Sequence, residues 1–433
     1  MASSLHLSQI KAAPDRECRL ALLGFGTVGS AVARLLSYHS ENYRLRLTHV
    51  CNRNVEKKRV NWVSEDVTWT DSVDEVLSSD ADVIVELVGG IEPAYDWVRR
   101  ALESGKSVVT ANKQLMAHHG TELLQLARRC GQQLAFGASV AGGVPVLSGL
   151  LEGLGGDRLH RIAGILNGTC NYILTRIETA GVSFEEALRE AQEAGYAEAD
   201  PTDDLDGYDA RAKLVILALT GLRADVRPEE VECGSIRNVS RVDFEYAREL
   251  GCTIRQVSQA ELCGDVLLAS VQPALVPLGS PLAGVSGSQN LVVSTGKFGG
   301  ETVFSGYGAG GNPTAVAVVS DLLQILRREV KKSPDADAFS AKRVAASADF
   351  ESKHYLRFMV KDRPGVLAAL AGVFASHQIN IDSVLQRPGY AKTDLPFVIT
   401  LESCHNSHVQ HALAEINAFD FQVQNAFNMP ILG

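Results

Sequence analysis

Asp209 and Lys213 stand four residues apart at the end of AEADPTDDLDGYDARAK, Ala197 to Lys213, a segment with six carboxylates. That spacing puts both on one helical face. An exposed i,i+4 ion pair would be the simplest account of it. The continuation LVILALTGL instead implies a buried helix, and a buried charge must pair or serve a ligand. A paired lysine suits carbonyl reduction, because hydride arriving at the carbon leaves an alkoxide that must be stabilised and protonated. Lys213 fits the proton-transfer role and Asp209 the task of holding it charged and oriented. Glu198 or Asp204 would suit an ammonium group on the substrate, and Asp206 is placed to cap the helix. Lys113, in Thr110-Ala111-Asn112-Lys113 after the run KSVVT, belongs at the carboxyl end of a parallel strand, where such sheets bind ligands.

Hydride chemistry needs a carrier, and ALLGFGTVG offers a place for one. Gly24, Gly26 and Gly29 form G-x-G-x-x-G directly after an apolar strand and before a helix. Gly24 permits the tight turn, Gly26 the approach of a pyrophosphate, and Gly29 close helix-strand packing. The free N–H groups and partial positive charge of the helix N-terminus would face the phosphates. An NAD site usually has an acid about 20 residues onward for the ribose 2′-hydroxyl. Here the second strand ends Cys51-Asn52-Arg53, without a carboxylate, and Arg53, Lys57 and Lys58 are available to a 2′-phosphate. NADP(H) is therefore favoured and NAD(H) possible, a solvated helix start being the plainer reading of the basic cluster.

The elements that must position these groups follow from the apolar pattern. CRLALLG, RLTHVCN, ADVIVELVG, KSVVTAN and QQLAFGAS alternate with amphipathic helices at Ser30–His39, Pro93–Ser104 and Gln114–Cys130, the rhythm of a doubly wound parallel sheet. The first domain is placed at 15–140, completed by a helix at about 313–330. A second, α+β domain is placed at 141–312, with RIAGILNG and NLVVSTGKF as exposed strands. A polar linker at 331–352 then leads to an independent βαββαβ unit at 353–430.

Composition narrows the partners. A net charge of −10 and a pI near 5.6 disfavour nucleic acid. Eight cysteines without a C-x-x-C pair read as reduced thiols and not as a zinc or disulfide framework. The start MASSLHLSQIKAAPDRE lacks a signal-peptide core and no stretch is apolar enough to span a membrane, so the expected location is the cytoplasm.

LGFGTVG, VVTANK, ASVAGGVPVL, GILNGTCNYIL, GYAEADPTDDLDGYDARAK and GYGAGGNPTA together resemble the homoserine dehydrogenase family, in its order, over about residues 18–330. The resemblance implies reversible reduction of L-aspartate 4-semialdehyde to L-homoserine. It implies that Phe25, Thr27 and Val28 contact the cofactor together with Gly308, that Arg53 lies near a 2′-phosphate and that Lys113 lies near the nicotinamide. It also implies Glu198, Asp204, Asp209 and Thr169 as substrate-binding groups and Lys213 as the proton donor or acceptor, with Asp209 and Lys113 as the further catalytic residues. A homodimer or homotetramer is expected. The family often has a glutamate ahead of A-S-V-A-G-G, supporting a monovalent cation beside backbone carbonyls such as those of Val140, Gly142 and Val144. This chain has Gly137, so the cation is uncertain and no metal ligand is assigned.

HYLRFMVKDRPGVLAALAGVFASHQINIDSV resembles an ACT domain, a ferredoxin-like fold that binds amino acids. That implies Gly365 and Asn380 at an effector pocket, with threonine the expected effector, or a pairing module that has lost its ligand. The fold class is thus α/β: a Rossmann-type domain, an α+β catalytic and dimerisation domain, and an ACT domain. With about 17 residues before the first strand, a monofunctional enzyme is expected. Two rival readings are an acylating semialdehyde dehydrogenase with Cys170 as nucleophile, helped by His160, and a non-catalytic nucleotide and amino-acid sensor.

Overall fold

The computed structural model describes residues 17–327 and 341–433. They fall into two compact units, one of residues 17–148 and 309–327, the other of 149–308 and 341–433. Among the described residues no helix is long and apolar enough to cross a membrane.

The first unit is built on six parallel strands: β1 (Cys18–Leu23), β2 (Leu45–Cys51), β3 (Thr68–Thr70), β4 (Val83–Glu86), β5 (Ser107–Thr110) and β6 (Leu134–Ala135). Their order is β3-β2-β1-β4-β5-β6, so successive strands run outward from β1 in one direction and then from β4 in the other. That reversal leaves a crevice at the carboxyl ends of β1 and β4, the ligand position of such sheets. Leu20, Leu22, Val83, Val85 and Val109 are essentially buried, which is why these strands read as continuous apolar runs. Each such side chain contributes roughly 1.5–3 kcal/mol on burial. The sequence reading finds five of the strands. It misses β3, a Thr-Trp-Thr edge strand too short to show a period. Helix Gly311–Arg327 packs on helix Thr27–Tyr43, with Gly311 so close to Thr27 that a Cβ would lie 3.0 Å from its methyl.

In the second unit, strands Gly300–Tyr307, Gln289–Gly296, Leu159–Ile165, Cys252–Cys263 and Val266–Pro277 lie side by side. Leu159–Ile165 and Gln289–Gly296 are mostly buried, not exposed as their sequence suggests, because Ala163, Ile165, Leu291 and Val293 pack into one core with Val257, Leu282 and Val285. The same sheet continues through Gln422–Ile431, Glu351–Val360, Leu395–His405 and Ile381–Leu385. With helices Val366–Ser376 and Asn406–Ile416 these four strands form the βαββαβ unit, in spatial order fourth, first, third, second.

That unit is not independent. Leu275 pairs with Ile431, and Tyr355, Val398 and Met429 share a core with Cys170, Ile173, Phe244 and Ile254. The expected linker is also partly ordered. Lys342–Arg343 pairs with Ala224–Asp225, and Ala345–Ser347 adds to strand Val266–Pro277. Residues 328–340, which include the first part of that linker and the expected end of the helix at 330, lie outside the described residues.

Candidate active site

The glycine turn shows why its three positions are glycine. Gly24 has φ +102°, and a Cβ there would lie 2.9 Å from the Leu87 carbonyl. A Cβ on Gly29 would come within 2.3 Å of the Gly24 carbonyl, so helix and turn could not pack. A Cβ on Gly26 would meet nothing, which leaves this side of the turn open above the start of helix Thr27–Tyr43. The open backbone and the free helix N–H groups fit a dinucleotide pyrophosphate. Phe25 is buried against Trp62 and Trp69, so only its backbone remains at the turn, where its N–H donates to Asn52 Oδ1 at 3.4 Å. Arg53 is exposed and, among the described residues, pairs with no carboxylate. Gly308 is fixed by packing: a Cβ would overlap the Asn290 amide at 1.3 Å.

Lys113 is the first residue of helix Lys113–Cys130, whose N-terminus Asn112 caps through a bond from the Leu115 N–H of 3.1 Å. The Asn112 amide also donates to Gly90 O at 2.6 Å, and the Asn112 N–H donates to Thr110 Oγ1 at 3.0 Å. Thr110 in turn donates to buried Glu86, which accepts from the N–H groups of Val88 and Gly89 at 2.7 and 3.2 Å. Glu86 therefore ties the loops after β4 and β5 together. A carboxylate at the tip of an otherwise apolar strand was the signal for it in the sequence.

In the second unit, helix Tyr208–Leu217 buries Asp209 and most of Lys213. Lys213 Nζ donates to Asp209 Oδ2 at 2.7 Å and to Leu166 O at 2.8 Å. Asn167, which the sequence reading does not single out, donates through Nδ2 to Asp204 Oδ1 at 2.6 Å and to Asp209 Oδ2 at 2.9 Å. Burial raises the Asp204 carboxyl above the usual range, and the hydrogen bond from Asn167 opposes that rise. Thr169 Oγ1 donates to Tyr196 O at 2.7 Å. Asp204, Asp209, Lys213 and Asn167 are thus one hydrogen-bonded cluster. Glu198 is exposed and takes no part in those bonds. Asp206 does not cap the helix. Gly207, at φ +86°, precedes it, while Asp206 binds Ser235 and Arg237 at 2.6 and 3.1 Å.

The turn after β6 does not offer the carboxylate of a family cation site. A Cβ on Gly137 would lie 2.6 Å from Asp321 Oδ1, and the Gly137 N–H donates to Asp321 Oδ2 at 2.8 Å. Asp321 is thus aimed at N–H donors, and burial lifts its carboxyl to about 7. A group held by donors in this way is not set to bind a cation. Cys170 does not suit a nucleophile: its thiol is buried, donates to Asp204 O at 3.1 Å, and is pushed well above the ordinary thiol range by desolvation. All eight cysteines are free. Gly365, at φ +97°, precedes helix Val366–Ser376 on an exposed turn, and exposed Asn380 donates to Glu402 Oε2 at 3.0 Å.

The family model described as homoserine dehydrogenase matches residues 145–323, and that of its NAD-binding domain matches 24–137. An ACT domain model matches 354–421. The homoserine dehydrogenase of Bacillus subtilis is 36% identical over 94% of this chain and 95% of its own. A solved homoserine dehydrogenase from Thiobacillus denitrificans superposes with a TM-score of 0.89 at 33% identity, covering 96% of this chain and 98% of that one. A hyperthermophilic archaeal homoserine dehydrogenase solved in complex with NADPH has a TM-score of 0.63 at 27% identity, covering 72% and 99%. With the glycine turn at one end of the chain, the lysine-carboxylate cluster in its middle and a βαββαβ unit after it, the protein belongs to the homoserine dehydrogenases, NAD(P)-dependent oxidoreductases acting on a CH–OH group.

Proposed function

We propose that the enzyme reduces L-aspartate 4-semialdehyde to L-homoserine with NADPH, that Lys213 exchanges the proton, and that threonine acting at the ACT unit restrains it. The observation that carries the chemistry is the chain of hydrogen bonds from Lys213 to Asp209, from Asn167 to Asp209 and from Asn167 to Asp204. When bound, the nicotinamide supplies the hydride. Lys213 stabilises the developing alkoxide and gives it a proton from Nζ, and in the reverse direction it takes that proton back. Asp209 and Leu166 O hold the ammonium in place. Asp204, with Glu198 and Thr169 beside the same segment, binds the substrate's polar groups. In the first unit the turn at Gly24–Gly29 binds the pyrophosphate, and Lys113 lies toward the nicotinamide end. The test is oxidation of NADPH on addition of aspartate 4-semialdehyde; no turnover would defeat the assignment.

The NADPH preference rests on Arg53, exposed at the tip of β2 with no carboxylate partner among the described residues, and it agrees with the NADPH bound by the archaeal relative. Charge-assisted bonds to phosphate are worth roughly twice a neutral bond, and solvent screening reduces this at an exposed arginine. Arg53→Ala is expected to lower kcat/KM for NADPH by about tenfold, with NADH little changed. Equal efficiency with both cofactors in the parent enzyme would refute the preference.

Threonine should bind near Gly365 and Asn380 and lower activity in the intact protein. A coupling of about 1–3 kcal/mol would shift substrate affinity ~5–150-fold. Truncation after Ser347 is a poor test, because it strips Tyr355, Val398 and Met429 from a core shared with the catalytic part. Calorimetry on the whole chain, repeated with Asn380→Ala, reads the contact directly. Heat of binding and inhibition are both expected to weaken in the variant. A parent that neither binds threonine nor slows in its presence would leave the unit a pairing module.

A further inference from the structure

Asn167 sits at the start of helix Gly168–Ala180 and uses every polar atom of its amide. Its Oδ1 accepts from the Cys170 N–H at 2.8 Å, closing the helix end, and this fixes the amide's orientation. Nδ2 then faces two carboxylates, Asp204 Oδ1 at 2.6 Å and Asp209 Oδ2 at 2.9 Å. The Asp209 oxygen it touches is the one that also holds Lys213. An amide N–H can only donate, so both contacts favour the ionised acids. With both acids charged, Lys213 is bonded to Asp209, while the Asp204 carboxylate accepts from the neutral amide of Asn167 and has no ion pair among the described residues. A substrate with an ammonium group supplies the missing charge, and a neutral analogue does not.

We propose that Asn167 is a positioning residue that keeps Asp204 and Asp209 ionised together, and so sets the enzyme's requirement for an ammonium group on its substrate. This rests on the site reading given under Proposed function. The groups that face Asn167 and Asp204 are few. Helix Gly168–Ala180 brings the Cys170 thiol and the uncharged Thr169 hydroxyl, which also favours the ionised Asp204, helix Tyr208–Leu217 brings Asp209 and Lys213, and strand Cys252–Cys263 brings the uncharged Gln256, whose Nε2 donates to Asp204 O at 3.4 Å. Desolvation keeps Cys170 a thiol, so it adds no charge. Asp204 is already raised by burial and by the charge of Asp209. Removing the Asn167 donor raises it further.

The experiment compares Asn167→Ser and Asn167→Asp with the parent in the direction of aspartate 4-semialdehyde reduction, in which Lys213 starts protonated and the acid limb reports the carboxylates. Serine keeps a cap for the Cys170 N–H and loses both donors. Aspartate keeps the cap and the shape and adds a third acid. For Asn167→Ser the acid limb of kcat/KM against pH is expected to move up by on the order of one pH unit. The KM for aspartate 4-semialdehyde should rise about tenfold or more, with kcat falling less, and discrimination against succinate semialdehyde, which lacks the ammonium, should shrink by a similar factor. Asn167→Asp should move the limb further in the same direction. NADPH affinity and far-UV dichroism should match the parent. A parental acid limb and parental discrimination in Asn167→Ser would overturn the proposal, as would a loss confined to thermal stability. If Asn167→Ser does not fold, the limb in Asn167→Asp decides by the same criterion. Lys213→Met separates the two ideas: retained turnover there defeats the site reading itself, whereas a dead Lys213→Met beside an unshifted Asn167→Ser defeats this inference alone.

Discussion

Lys213→Met is expected to lower turnover by about 10²–10⁴-fold while leaving NADPH affinity essentially unchanged. The loss follows from chemistry that no neighbour can replace. Methionine fills a similar volume but has no proton to give, and the groups left around it are the carboxylates of Asp204 and Asp209 and the amide of Asn167. Those acids would oppose an alkoxide. Because the interaction is made in the transition state, kcat and kcat/KM should fall together. Cofactor affinity should survive because the glycine turn is formed entirely within the first unit. Steady-state kinetics with a titration of NADPH fluorescence reads both quantities. Near-parental turnover would remove Lys213 from the mechanism, and a loss of NADPH binding would show that the variant is damaged elsewhere. Some loss of thermal stability is also expected, since Asp209 stays buried without its cation.

The Asp209–Lys213 pair was legible in the sequence because a helix has a fixed period, so two residues four apart must share a face. The glycine turn was legible for a similar reason: Gly24 and Gly29 are required by contacts within a few residues of backbone. Asn167 was not legible as a bridge. It precedes a helix, and a capping asparagine could have been suspected there, but its contacts with Asp204 and Asp209 span 37 and 42 residues. The same limit explains the error at Asp206. Four carboxylates lie within seven positions there, and only the fold decides that Asp206 turns to Arg237 while Gly207 starts the helix. The C-terminal unit was read as separate because its own βαββαβ pattern is complete. The pairing of Leu275 with Ile431 joins residues 156 positions apart, and local composition does not record it.

Arg357→Met is expected to destabilise the second unit by about 3–5 kcal/mol near pH 8, and by less as the pH falls. Arg357 lies on strand Glu351–Val360 of the ACT unit and pairs with Asp243 on helix Arg241–Glu249 of the catalytic part, both side chains almost fully buried. Asp243 also accepts from Tyr355 Oη at 2.8 Å and from the N–H and hydroxyl of Ser240 at 2.8 and 2.9 Å. Arg357 further donates to Ser240 Oγ at 2.6 Å and to Asn238 O at 3.1 Å. Removing the guanidinium leaves a buried carboxylate without its counter-charge, the costly half of breaking such a pair. Desolvation already holds the Asp243 carboxyl above its usual range, with Arg357 pulling it back. Without Arg357 the rise is larger. A carboxyl raised in the folded state binds its proton there more tightly than in the unfolded chain, so its stabilising share is greatest at low pH and is lost as pH rises through the folded value. The variant should therefore lie closer to the parent in acid and fall away from it as the pH rises. All three tryptophans, Trp62, Trp69 and Trp97, lie in the first unit, so their fluorescence reports that unit while calorimetry reports both. The calorimetric transition of the second unit should move and the tryptophan transition should move less. A variant as stable as the parent at pH 8 would show that the pair does not hold strand Glu351–Val360 to helix Arg241–Glu249. A strong loss with weakened threonine inhibition would mark Asp243 and Arg357 as the joint through which an effector on the ACT unit reaches the catalytic sheet.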